Sequence, residues 1–131
     1  MNKMKKYLGL FLLAGLCSSP LLAEDYIVFS CFTAKGKQIA LIESEGYYEY
    51  SFGKPGKPEL VFKNKIADVE ARSEKWNGVG SYWEAYNLKN GQYYYVVYKS
   101  ENRVSDEHEF SGGVTVSKGD KEIATVSCER F

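Results

Sequence analysis

The chain has a single histidine, only three cysteines and no Cys-x-x-Cys pair, which leaves little material for a metal centre or a redox site. That histidine, His108, sits in Ser105-Asp106-Glu107-His108-Glu109. In an extended loop Asp106 and His108 share a side and offer two ligands, where a catalytic zinc wants three. No serine has a nucleophile-elbow context, so no Ser-His-acid arrangement is marked out. A basic stripe, the usual footprint of a nucleic-acid binder, is missing, as are internal repeats and low-complexity tracts. Beyond the first residues no run is apolar and long enough for a membrane-spanning helix. No cofactor is implied and no catalytic residue is assigned.

The chain opens with export chemistry. Lys3, Lys5 and Lys6 form a basic region, Tyr7 to Leu16 a short apolar one, and Leu21-Leu22-Ala23 a cleavage site. Residues 1–23 are therefore read as a signal peptide and Glu24 to Phe131 as one domain destined for the periplasm or secretion. A lipoprotein reading would use Cys17, but Leu16 stands where such signals place a small residue. Cleavage removes three of the 17 basic residues and none of the 17 acidic ones, so the mature domain is net acidic. Only Cys31 and Cys128 remain in it. An even pair in an exported chain predicts a disulfide.

The most strongly patterned stretch is Ser81 to Ser100, SYWEAYNLKNGQYYYVVYKS. Asn90-Gly91 reads as a type I′ turn, which pairs Leu88 with Tyr93, Tyr86 with Tyr95 and Glu84 with Val97. On the other face Asn87, Ala85 and Trp83 meet Tyr94, Val96 and Tyr98. The second set lacks charge in its middle and is assigned to the core. The first, with Glu84 and Lys99 among tyrosines, is assigned to water. Other strands are expected at 25–33, 38–43, 47–53, 59–63, 113–117 and 122–130. Pro55-Gly56 suits a type II turn, and 64–80 is poorly patterned with room for one helical turn. Ile27, Phe29 and Cys31 share a face, as do Ala124, Val126 and Cys128. A bridge between first and last strands makes the ends neighbours, so the expected fold is an all-β antiparallel eight-stranded meander closed into a small barrel, with a β-sandwich as the alternative.

Tyr82, Tyr86, Tyr93 and Tyr95 fall together on the outward-assigned face, joined by Tyr47, and form a candidate protein-binding patch; strand packing alone would also place tyrosines there. Trp76, among glycines, can plug one barrel end or anchor an interface. The polar loop 102–109 with the following Ser111-Gly112 is the best protruding element. Its Asp106, Glu107, His108 and Glu109, with Ser111 and Gly112, would suit a basic cleft on a partner. Glu84 and Glu49 are strand-centre acids that could serve a glycosidase-like pair. The bland reading, that they keep the outer face soluble, is preferred.

An exported chain of this size, a small antiparallel β fold, a protruding loop and the Ser-Gly of Ser111-Gly112-Gly113-Val114-Thr115 together resemble the periplasmic lysozyme inhibitors. In several of those families a tyrosine follows Ser-Gly; here Val114-Thr115 stands in its place. The stretches FGKPGKPELVF and NGQYYYVVY look more like small exported β proteins of Gram-negative bacteria, a likeness that implies no activity. The resemblance to the inhibitors implies a non-enzymatic binding protein whose partner is a wall-degrading hydrolase such as lysozyme. A lipocalin-like carrier of a small apolar or sugar ligand, and an envelope accessory, are the alternatives.

Overall fold

The computed structural model describes residues 25–103 and 106–131. The expected signal segment 1–23, with Cys17, lies outside them. Eight strands form two antiparallel four-stranded meanders. The first holds β1 (Tyr26–Phe32), β2 (Gln38–Ser44), β3 (Tyr47–Lys54) and β4 (Lys57–Lys65). Helix α1 (Ile66–Arg72) and an irregular segment then lead to the second sheet. That sheet holds β5 (Tyr82–Asn90), β6 (Tyr93–Glu101), β7 (Phe110–Lys118) and β8 (Lys121–Ser127). No helix among the described residues is long and apolar enough to cross a membrane.

The expected disulfide is present, with Cys31 and Cys128 Cα atoms 5.7 Å apart. The ends of the domain do lie side by side, but the barrel does not close. Beyond the bridge, one isolated pairing, Phe32 with Arg130, joins β1 to the chain after β8. At the other seam β4 and β5 form no ladder and meet through the Asn64 side chain, which bonds the Lys89 backbone. The fold is therefore sandwich-like. Its interior is continuous across the sheets: Phe29, Ile39, Leu41, Tyr48 and Tyr50 from the first meet Leu88, Val97 and Val114 from the second, with Val69 of α1. Tyr50, Phe62 and Tyr95 fill the space between sheets as a ring trio with centroids 5.1–5.4 Å apart.

Turn chemistry explains the strand registers. Glu45 and Gly46 both take positive φ, +52° and +86°, so the type I′ turn joins β2 to β3. At the β5–β6 hairpin the loop is Gly91-Gln92, because Asn90 pairs with Tyr93. Of these two only Gly91 has positive φ, +64°, the requirement of a type II′ turn with glycine first. The register accordingly slides two residues from the expected one: Leu88 pairs with Tyr95, Tyr86 with Val97 and Glu84 with Lys99.

A two-residue slide preserves the faces but does not say which of them is inside, and the inward face is the opposite of the one expected. Leu88 and Val97 are fully buried, and Tyr86 and Tyr95 pack on the core. Trp83, Ala85, Tyr94, Val96 and Tyr98 belong to the outer face. Glu84 had marked the inner face as wetted; it is accommodated because it lies at the end of the sheet, where neighbouring hydroxyls satisfy it. A second departure is local. Val28 is an extra residue between the pairs Ile27–Ile42 and Phe29–Leu41. This bulge turns Ile27 away from the core face that Phe29 and Cys31 keep, and Ile27 is 65% exposed.

Candidate functional site

The region between α1 and β5 is an open cleft of about 380 Å³. Its walls come from α1 and the residues after it (Val69, Glu70, Ser73 to Trp76), from β5 (Tyr82 to Tyr86) and from Tyr48 of β3. The local sequence explains why this segment sits there. α1 is only seven residues long, with Asp68 in its first turn and Arg72 in its last, each suited to the helix dipole. Val69 anchors the helix in the core, and Ile66 N–H donates to the Gly46 carbonyl of the β2–β3 turn, 3.0 Å. Ser73 ends the helix with its Oγ donating to Val69 O, 2.6 Å, and accepting from Asn87 N–H, 2.9 Å. The helix is thus fastened to both sheets, and the residues after it run beside β5.

Glu84 is the chemical centre of the cleft. Tyr82 Oη donates to its Oε2 at 2.9 Å and Tyr86 Oη to its Oε1 at 2.7 Å. The carboxylate is half-buried and holds one hydroxyl on each oxygen. Tyr48 packs edge-on against Tyr86, with centroids 5.6 Å apart, and Trp76 edge-on against Tyr82 at 5.0 Å. Trp76 Nε1 is enclosed, with no hydrogen-bond partner among the described residues. Burial first, then the bond to Glu84, pushes the Tyr86 hydroxyl above its ordinary pKa of 10.0. The Tyr82 hydroxyl is raised mainly by its bond to Glu84, and that of Tyr48 by burial together with Glu43, Glu70 and Glu84.

These shifts carry a stability consequence. A tyrosine that ionises less readily folded than unfolded contributes stability that is complete below the unfolded pKa and is lost as pH rises through the folded value. The unfolding midpoint in urea should therefore fall as pH climbs above about 10. Tyr86→Phe should blunt that fall. The variant should also cost about 1 kcal/mol near neutral pH by leaving one Glu84 oxygen without its donor. A pH dependence equal to the parent's would contradict the assignment.

The four tyrosines expected as one outer patch are divided. Tyr95 is in the core trio, and Tyr82 and Tyr86 line the cleft. Tyr93 stands exposed at the hairpin tip, with Lys118 Nζ 5.9 Å from its ring centre. Tyr47 lies exposed on the outer face of β3 beneath Lys63. Glu49 belongs to that outer face too, opposite in direction to Tyr48 and Tyr50, so it does not face Glu84 and the two acids form no catalytic pair.

Ser111 and Gly112, expected in the protruding loop, are strand residues of β7 paired with Ser100 and Lys99. Gly112 is buried where a Cβ would lie 2.7 Å from Tyr98 O and 3.1 Å from Phe131 Cζ, so glycine there is a packing requirement. Asp106, Glu107, His108 and Glu109 are exposed. His108 Nδ1 lies 3.2 Å from Glu101 Oε2, and Asn102 N–H donates to Glu109 O at 2.9 Å, which closes the loop at its base. The loop and the cleft occupy the same end of the second sheet, because Tyr82 pairs with Glu101. Arg103 joins them, its guanidinium 5.6 Å from the Trp76 ring centre.

Sequence reasoning put Glu84, Tyr82 and Tyr86 on one face of the hairpin but did not bring Trp76 to them. The missing signal was tertiary: α1 and the segment after it had too little periodicity to be docked on β5. No protein-family model, no curated protein and no solved structure matches this chain.

Proposed function

We propose that the protein is a non-enzymatic, exported binding protein that occludes a partner protein, most concretely a wall-degrading hydrolase such as lysozyme. The observation that carries this reading is the joining of the aromatic cleft and the acidic loop at one end of the molecule through the Tyr82–Glu101 pair and the Arg103–Trp76 contact. Trp76 and Tyr82 supply rigid contact area at low entropic cost, while Glu84, Asp106, Glu107 and Glu109 supply negative potential for a basic surface. Glu84 with a hydroxyl donor on each oxygen suits recognition better than acid–base chemistry. The disulfide fits the oxidising compartment in which such a partner is met.

The test is peptidoglycan hydrolysis by several lysozyme types in the presence of purified Glu24–Phe131 at micromolar concentration. Dose-dependent inhibition of at least one type, weakening as salt rises, is the expected outcome. No inhibition of any type removes the hydrolase from the proposal.

A further inference from the structure

The cleft runs along a strand edge as well as over side chains. β5 is the outermost strand of its sheet and pairs only with β6. In an antiparallel strand, alternate residues turn both their N–H and C=O away from the partner. On β5 these are the odd-numbered residues, as their bonding shows. Asn87 N–H donates to Ser73 Oγ, and Arg72 Nε donates to Asn87 O at 3.2 Å. Lys89 N–H donates to Asn64 Oδ1 at 2.7 Å, and Asn64 Nδ2 donates to Lys89 O at 2.9 Å. Side chains therefore cap this edge at Asn87 and Lys89. At Ala85 and Trp83 the capping stops: no described residue bonds their outward N–H and C=O groups, and both residues line the cleft. A strand edge left open inside an aromatic groove is a template for another strand.

We infer that the Trp83–Ala85 edge of β5 receives an extended, lysine- or arginine-bearing segment of a partner protein as an added antiparallel or parallel strand. Charge selects the occupant: of the residues lining the cleft, Glu70, Glu74 and Glu84 outnumber Lys75, with Arg103 over the Trp76 ring at the rim. Backbone bonds to Trp83 and Ala85 give sequence-independent affinity, and the period of two places every second side chain of the guest over Glu84 between Tyr82 and Tyr86. The inference rests on the protein being a binding protein, but not on the partner being a hydrolase.

The probe is acetyl-Thr-Lys-Thr-Lys-Thr-amide added to the mature, oxidised protein. Both tryptophans of the chain, Trp76 and Trp83, line the cleft, so their fluorescence reports occupancy. Amide hydrogen exchange at Trp83 and Ala85 reports edge pairing. The expected result is a saturable fluorescence change with slowed exchange at those two amides. Binding should weaken about tenfold in Glu84→Gln, which removes the charged acceptor. It should be lost in Ala85→Pro, which deletes an outward N–H that an edge strand can spare. It should also be lost when alternate peptide nitrogens are methylated in the phase that faces β5, and kept when those of the other phase are methylated. If n-butylamine binds as tightly as the parent, or the peptides methylated in both phases do, strand addition is overturned while cation recognition by the cleft stands. If the lysine peptide does not bind at millimolar concentration, strand addition is overturned too, and the hydrolysis assay judges the hydrolase reading separately.

Discussion

Replacing Cys31 and Cys128 together by alanine should lower the unfolding free energy by about 4–5 kcal/mol. The two residues are 97 positions apart, so the bridge closes nearly the whole domain into one loop and removes much of the freedom of the unfolded chain. Its native surroundings add to the effect. The chain after β8 is held to β1 by backbone bonds from Phe32 to Glu129 and Arg130, and the Phe131 ring leans edge-on against Phe29, with centroids 6.1 Å apart. A domain of this size is stable by only about 5–15 kcal/mol, so the variant should sit close to its threshold. Urea unfolding of oxidised, reduced and Cys-free protein measures this. A loss below about 1 kcal/mol would show that the seam between first and last strands holds without the bridge.

The second large effect separates the two faces of the β5–β6 hairpin. Val97 is fully buried and Val96, its neighbour on the same strand, is only half-buried on the opposite face. Val97→Ala should cost about 2–3 kcal/mol, from two lost methylene equivalents and the cavity they leave among Leu88, Val114 and Tyr86. Val96→Ala should cost about 1 kcal/mol or less. Leu88→Ala, with no exposed surface to relax into, should cost about 3 kcal/mol. Equilibrium unfolding of the three variants settles the order. If Val96→Ala proved the more damaging of the valine pair, the inward face would be the one carrying Trp83, Tyr94 and Tyr98.

Much of the fold was legible because it is written locally. Alternation placed Tyr48, Tyr50 and Phe52 on one face of β3, and Leu60 and Phe62 on one face of β4; all five meet the core. Pro55-Gly56 and Glu45-Gly46 turn the chain where their residue types require, and the cysteine count found its bridge. What the sequence reading mistook depends on tertiary context. The inward face of the hairpin could not be told from charge, because Glu84 finds its partners in the hydroxyls of Tyr82 and Tyr86. Register at Asn90-Gly91-Gln92 turned on which two of three turn-forming residues make the loop. Closure of the barrel rests on the bridge alone, whereas β4 and β5 meet through the Asn64 side chain without forming a ladder. Ser111-Gly112 looked like loop chemistry until the nine-residue length of β7 absorbed it.

The candidate site was legible residue by residue and illegible as a place. Glu84, Trp76, Tyr82 and Tyr86 each stood out, yet only the docking of α1 between the sheets, through Val69, Arg72 and Ser73, makes them walls of one cleft.

The most direct test of that cleft is lysozyme inhibition measured side by side for the mature protein, Trp76→Ala, Glu84→Gln and Tyr93→Ala. Inhibition should weaken about tenfold or more in the first two variants, which strip the acidic, aromatic end. It should hold in Tyr93→Ala, whose ring stands at the far end of the same hairpin. Inhibition that survives the loss of Trp76 and Glu84, or that fails with Tyr93, would contradict the placement of the partner at this cleft.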